Sequence, residues 1–87
     1  MNNLERIYNN VVNITGVEIK NKSRKRDIVY AKKIYCNLAR EKGYTFKAIG
    51  EFIGLNHATV VWHNNDTPYL LKQDKEFMDN YLKVKEL

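Results

Sequence analysis

An 87-residue chain that is 44% hydrophobic, with ten aromatic residues, supports one small core, since a chain of this size buries only about 60–65% of its unfolded surface. That excludes a large enzyme pocket beside a second domain, and no apolar run approaches the ~20 residues needed to cross a bilayer. The formal net charge of +5 is uneven: residues 1–43 hold ten Lys/Arg against four Asp/Glu, residues 44–87 five against six.

Met1 to Glu5 are largely polar and read as neither a signal nor a transit peptide, but as the start of a complete small protein. Leu4, Ile7, Tyr8, Val11 and Val12 recur at helical spacing behind Asn2 and Asn3, which can cap. Thr15-Gly16 ends that helix. Val17 to Ser23 is a connector, with one helical turn able to tuck Val17 and Ile19 inward. Asp27 is a candidate N-cap for a second helix with the apolar stripe Ile28, Ala31, Ile34, Tyr35, Leu38 and Ala39. Arg40 and Lys42 suit its C-terminal dipole, and Gly43 stops it. Cys36 is the sole cysteine, so no internal disulfide can form, and the chain reads as a cytoplasmic protein of a reducing compartment.

Thr45 caps a short third helix that turns Ala48, Ile49, Phe52 and Ile53 inward. Gly54-Leu55 makes a tight turn, and Asn56 caps a helix through Val60, Val61 and Trp62 that fades near Asn64-Asn65-Asp66. Thr67-Pro68 restarts the chain, since proline fits a first helical turn. Asp74 caps a last helix burying Phe77, Met78, Tyr81 and Leu82. Tyr8, Tyr30, Tyr35 and Tyr81 fall beside aliphatics at helical spacing and read as core. No repeat, linker or strand alternation interrupts residues 1–87. The sequence therefore predicts a single all-α domain of five or six helices.

Two features carry chemistry. Residues 45–65 read as a helix-turn-helix, whose second helix enters the major groove with its first residues at the base edges. Those residues are Asn56, His57, Ala58 and Thr59. Asn can pair with adenine, His and Thr can bond bases or phosphates, and an Ala methyl can meet a thymine methyl. The second feature is the basic cluster Lys20, Lys22, Arg24, Lys25, Arg26, Lys32 and Lys33, with its loop at 20–26, suited to a polyanion by counterion release. Each alone has a plain alternative: a helical hairpin in a bundle for the first, a solvated basic turn for the second. An anionic membrane would also attract the cluster, but no adjoining segment has the amphipathic face it requires.

Other constellations are thin. His57 and His63 lie about 240° apart around a helix and cannot chelate one metal, Cys36 has no CxxC or HxxxH partner, and Glu51, Asp74 and Glu76 form no acid/base pair. No enzyme, cofactor or metal is expected. Trp62 reads equally as a DNA-edge contact or as a core or partner-facing indole. Tyr69, Leu70 and Leu71 leave room for a protein partner on the C-terminal helices. An RNA platform would want aromatics on a sheet, and there is none.

The run Lys22-Ser23-Arg24-Lys25-Arg26, then Ile28-Val29, Ile49-Gly50-Glu51-Phe52 and Gly54-Leu55-Asn56-His57-Ala58-Thr59-Val60-Val61, resembles the C-terminal DNA-binding domain of the bacterial replication initiator DnaA. The resemblance spans roughly residues 4–63. It implies an all-α, Trp-repressor-like fold that reads A/T-rich DnaA boxes in double-stranded DNA, in replication initiation or its regulation. It implies Arg24 in a narrow minor groove, where negative potential is enhanced, and Asn56, His57, Ala58 and Thr59 toward bases in the major groove. Lys22, Lys25, Arg26, Lys32, Lys33, Arg40 and Lys47 would hold phosphates. Engaging about six phosphates would give a salt slope near −5.

The chain departs from the family pattern at Asn56 (usually Asp), Ala58 (usually Thr or Ser), Leu55 and Ala31. Asn64 to Pro68 is expected to break a helix that the family keeps continuous. No GxxxxGK[ST] loop is present, so ATP is not an expected ligand. A stand-alone phage or mobile-element transcription regulator, or a protein-interaction adaptor on the same scaffold, are the alternatives.

Overall fold

A computed structural model describes residues 3–87 as five helices: α1 (Asn3–Thr15), α2 (Arg26–Glu41), α3 (Phe46–Ile53), α4 (His57–Gln73) and α5 (Lys75–Glu86). The fold is all-α, with no strand among the described residues. Asn3 is already the first residue of α1, and the capping role considered for Asn2 lies outside the described residues. Leu4, Ile7 and Val11 face the core as their spacing requires.

The axis of the molecule is α2, which packs against each of the other four helices. Its burial exceeds the single stripe read from the sequence: every residue from Ala31 to Cys36 is buried, Lys32 and Lys33 included. A helix enclosed on nearly all sides has little solvent face left for charge. Cys36 packs here as a small hydrophobe, its thiol pushed up to about 12 by burial. Asp27 is not the N-cap. Lys25 holds that position without a side-chain cap bond, and Asp27 accepts the Ile28 N–H at 2.9 Å from inside the first turn. There its charge still suits the helix dipole.

The larger correction concerns α4, which runs unbroken through Asn64-Asn65-Asp66-Thr67-Pro68 for 17 residues. Proline mid-helix removes the donor for the carbonyl four residues back and costs about 3 kcal/mol. Contacts to α2 from the turn that precedes Pro68 offset this. Asn37 Nδ2 donates to Asn64 Oδ1 at 3.0 Å, and Lys33 Nζ pairs with Asp66 at 3.0 Å. The fully buried Thr67 hydroxyl lies 2.8 Å from the His63 carbonyl and 3.2 Å from the Lys33 carbonyl. Propensity is a weak prior against such packing.

Truncating Asp66 to alanine should cost about 2 kcal/mol, because it strands the buried Lys33 ammonium. Lys33→Met should cost less, since it removes the charge and keeps the apolar stem. Urea midpoints of the two variants decide this, and equal losses would show that the ion pair is not what fixes α4.

In α5 the inward set is Phe77, Tyr81 and Val84. Leu82, expected inside, is 45% exposed, since its place in the four-three spacing falls to Val84. Asp74 caps α5 as expected, accepting the Phe77 N–H at 3.0 Å. The Tyr81 hydroxyl donates to Asn37 Oδ1 at 2.6 Å. Asn37 therefore ties α5, α2 and α4 together. Leu70 is buried while Tyr69 is 62% exposed, so the apolar face suggested for a partner there is reduced to Tyr69 and the half-buried Leu71.

Candidate nucleic-acid interface

The helix-turn-helix is built by two side-chain caps and two glycines. Thr45 accepts the Ala48 N–H at 3.1 Å and starts α3, and Asn56 Oδ1 accepts the Thr59 N–H at 2.9 Å and starts α4. Gly54 closes α3 with φ 78°, the left-handed conformation glycine adopts without strain. Within α3, Gly50 receives the returning turn: the Leu55 N–H donates to its carbonyl at 2.8 Å. A Cβ on Gly50 would lie 2.4 Å from the Leu55 carbonyl oxygen and 3.1 Å from Val60 Cγ2. Tyr35 on α2 fixes α3 from below, its buried hydroxyl donating to the Ile49 carbonyl at 3.0 Å.

This arrangement leaves Asn56, His57 and Ala58 exposed at the tip of α4, with Thr59 half-buried beside them. The Asn56 amide oxygen is engaged in the cap, so its NH₂ is the group left to meet a ligand. The free N–H groups of the first turn share the positive end of the helix dipole. The His57 ring centroid lies 6.1 Å from that of Phe46 in an edge arrangement. Arg40 stacks on the same Phe46, 4.4 Å from its centroid, while its Nη1 donates to the Tyr44 carbonyl at 3.0 Å. Arg40, Phe46 and His57 thus form one run of touching side chains, with Lys47 exposed beside Phe46 on α3.

The basic loop is shaped by its own short polar residues. Asn21 Oδ1 accepts the Ser23 N–H at 2.8 Å, and Ser23 Oγ accepts the Lys25 N–H at 3.2 Å; side chains of this kind turn the backbone locally. The expected helical turn is instead a single turn in which the Asn21 N–H donates to the Glu18 carbonyl at 3.1 Å. Ile19 anchors it, fully buried. The Tyr8 hydroxyl donates to Glu18, and burial with this neighbour pushes it up to about 12. Lys20 lies back over Tyr8, 4.9 Å from the ring centroid.

Loop and recognition helix meet across a groove of about 480 Å³. It is lined by Lys22, Ser23 and Arg24 of the loop, by Val29 and Lys32 of α2, and by Leu55, Thr59, Trp62 and His63 of the turn and α4. Lys32 is 7% exposed, and neither ion pair among the described residues includes it. Burial pulls its ammonium below the usual lysine range. A desolvated cation without a counter-ion at the base of a groove is suited to an anion entering from solvent.

Two expected phosphate contacts are placed elsewhere. Lys33 is 2% exposed, its ammonium bound to Asp66, 3.3 Å from His63 Nδ1 and 3.6 Å from the Trp62 ring centroid; enclosure of α2 leaves it no path outward. Arg26 lines a separate cleft with Asp27, Asp74 and Glu76, where α2 approaches α5, because it is the first residue of α2 whereas Arg24 lies in the loop before it. Val29 and Leu55 also line the groove, a role for which apolar character alone carries no sequence signal. Trp62 is 57% exposed, and its place three residues after Thr59 puts it on that same helical face.

Among the described residues no three His, Cys, Asp or Glu side chains gather to hold a metal, and no helix is long and apolar enough to cross a membrane. Compared with known families, residues 2–66 match the one described as the bacterial dnaA protein helix-turn-helix. No curated protein and no solved structure gives a match to the chain.

Proposed function

Because the chain belongs to the bacterial DnaA helix-turn-helix family, which binds double-stranded DNA, we propose that it selects particular A/T-rich duplex sites, with α4 in the major groove and Arg24 in the adjacent minor groove. The observation that carries this reading is the shared groove: Arg24 of the loop and Thr59 of the α4 tip line one and the same depression. One sugar–phosphate strand separates neighbouring major and minor grooves, so a loop and a helix tip that share one groove can straddle it. Arg24, Asn56, His57, Ala58 and Thr59 are the base-facing set. Lys22, Lys25, Lys32, Arg40 and Lys47 are the phosphate set, which excludes the buried Lys33 and the displaced Arg26. Binding of this kind serves replication initiation or its regulation.

Selection from random duplexes tests the specificity, with an A/T-rich consensus expected. Since the cap occupies one side of the Asn56 amide, the base opposite it should differ from that of an Asp-bearing relative. Arg24→Ala and His57→Ala should each cost about 1–3 kcal/mol on the selected site and little on random DNA. Lys32→Ala should weaken all duplexes alike and reduce the salt slope, about −4 to −5 for five phosphates, by about one. Equal losses on selected and random duplexes for Arg24 and His57 would overturn their assignment to base reading.

A further inference from the structure

We infer that Trp62, the only tryptophan of the chain, is itself a DNA contact, its indole packing against the deoxyribose of the strand that crosses the groove between Arg24 and the α4 tip. The inference rests on the proposed duplex reading and adds a residue to it. A surface tryptophan that is 57% exposed calls for a partner, because few side chains present more apolar area to water. Trp62 sits on a wall of the groove, with the nearly buried Lys32 and the loop cations Lys22 and Arg24 lining the same depression. The lining therefore pairs cations with apolar surface from Val29, Leu55 and the indole. A sugar–phosphate strand has that same alternation, a charged phosphate beside an apolar sugar face, and a neutral helix or an acidic peptide does not match both.

The indole is also held in place before any ligand arrives. The Lys33 ammonium lies 3.6 Å from its ring centroid, and the neighbouring His63 ring lies 5.0 Å away. Lys33 is in turn fixed by Asp66 at 3.0 Å. A ring clamped through a buried ion pair loses little freedom on binding, which favours the complex. Lys33 thereby acts as a positioning residue, from inside the protein, for a contact at its surface.

The test uses the intrinsic fluorescence of Trp62 in the full chain, with an A/T-rich duplex as probe and binding followed in parallel by anisotropy of the labelled DNA. As anisotropy saturates, emission should shift to the blue and acrylamide quenching should fall. Trp62→Ala should bind about fivefold more weakly with an unchanged salt slope, because no phosphate charge is lost, and Trp62→Phe should recover most of the affinity. Saturating anisotropy with fluorescence that stays fully quenchable overturns the inference and leaves duplex binding intact. So does a Trp62→Ala variant whose melting temperature falls while its affinity for DNA does not. Absence of any salt-sensitive duplex binding overturns the underlying reading, and the inference with it.

Discussion

Gly50→Ala should lower folding stability by about 2–3 kcal/mol, the upper range for forcing a methyl into a filled site. The new Cβ would stand 2.4 Å from the Leu55 carbonyl oxygen, a backbone atom that cannot rotate aside. Relief requires the turn to move away from α3, which breaks the 2.8 Å bond from the Leu55 N–H to the Gly50 carbonyl. It also displaces Val60, fully buried at the start of α4. Alanine gains about 1 kcal/mol of helix propensity over glycine, and the clash exceeds it. For a domain of this size the loss corresponds to roughly 10–20 °C in melting temperature. Gly16→Ala is the comparison: its Cβ meets nothing within 4 Å and the strain is confined to φ 70°, so it should cost only about 1 kcal/mol. Because the damage is aimed at the turn that sets α4 against α3, residual folded Gly50→Ala should also bind duplex DNA poorly. Equal melting temperatures for the two variants would show that the turn has slack these distances do not reveal.

The local elements of this fold were legible because their signals are short-range. Thr45, Asn56 and Asp74 each cap the helix that their position before an apolar run indicates. The stripes of α1 and α3 follow one face each. What the sequence concealed was tertiary. Asn64 to Pro68 contains every local reason to end a helix, and it continues because Asn37, Lys33 and the Lys33 carbonyl bind the residues just before the proline. No periodicity reveals a partner thirty positions away. Lys32 and Lys33 illustrate the same limit within the interface. As adjacent lysines in a basic cluster they are indistinguishable, yet one lies at the base of the groove and the other is sealed under Trp62. A 100° step around α2 separates those two environments, and enclosure of that helix by its neighbours decides which is which. The tip residues Asn56 to Thr59 were easier to place, since a helix-turn-helix exposes the start of its second helix by construction.

Acid should loosen the junction between α2 and α4 before it affects the rest of the molecule, and His63 is the cause. Its ring is 4% exposed, with Lys33 Nζ at 3.3 Å from Nδ1. An ammonium can only donate, so Nδ1 accepts and the proton of the neutral ring is on Nε2. Burial first, then the charges of Lys33 and Lys32, push the imidazole down from 6.5 to about 4, with Asp66 acting weakly in the opposite sense. Between those values the unfolded chain takes up a proton that the folded chain refuses. Stability contributed by the neutral ring is therefore complete above about pH 6.5 and declines as pH falls toward 4. The loss should reach about 2 kcal/mol by pH 5. Glu18, held below the usual carboxylate range chiefly by the Tyr8 hydroxyl, acts in a lower window, so the two effects separate on the pH axis. Urea midpoints measured from pH 7.5 to 4.5 should fall steeply below 6.5 for the unaltered chain. In His63→Gln, which keeps an acceptor near Lys33 and cannot be protonated, the curve should stay flat down to about pH 5 and start from a lower stability at neutral pH. A substituted protein that retained the same slope would assign the acid sensitivity to another group and remove His63 from this account.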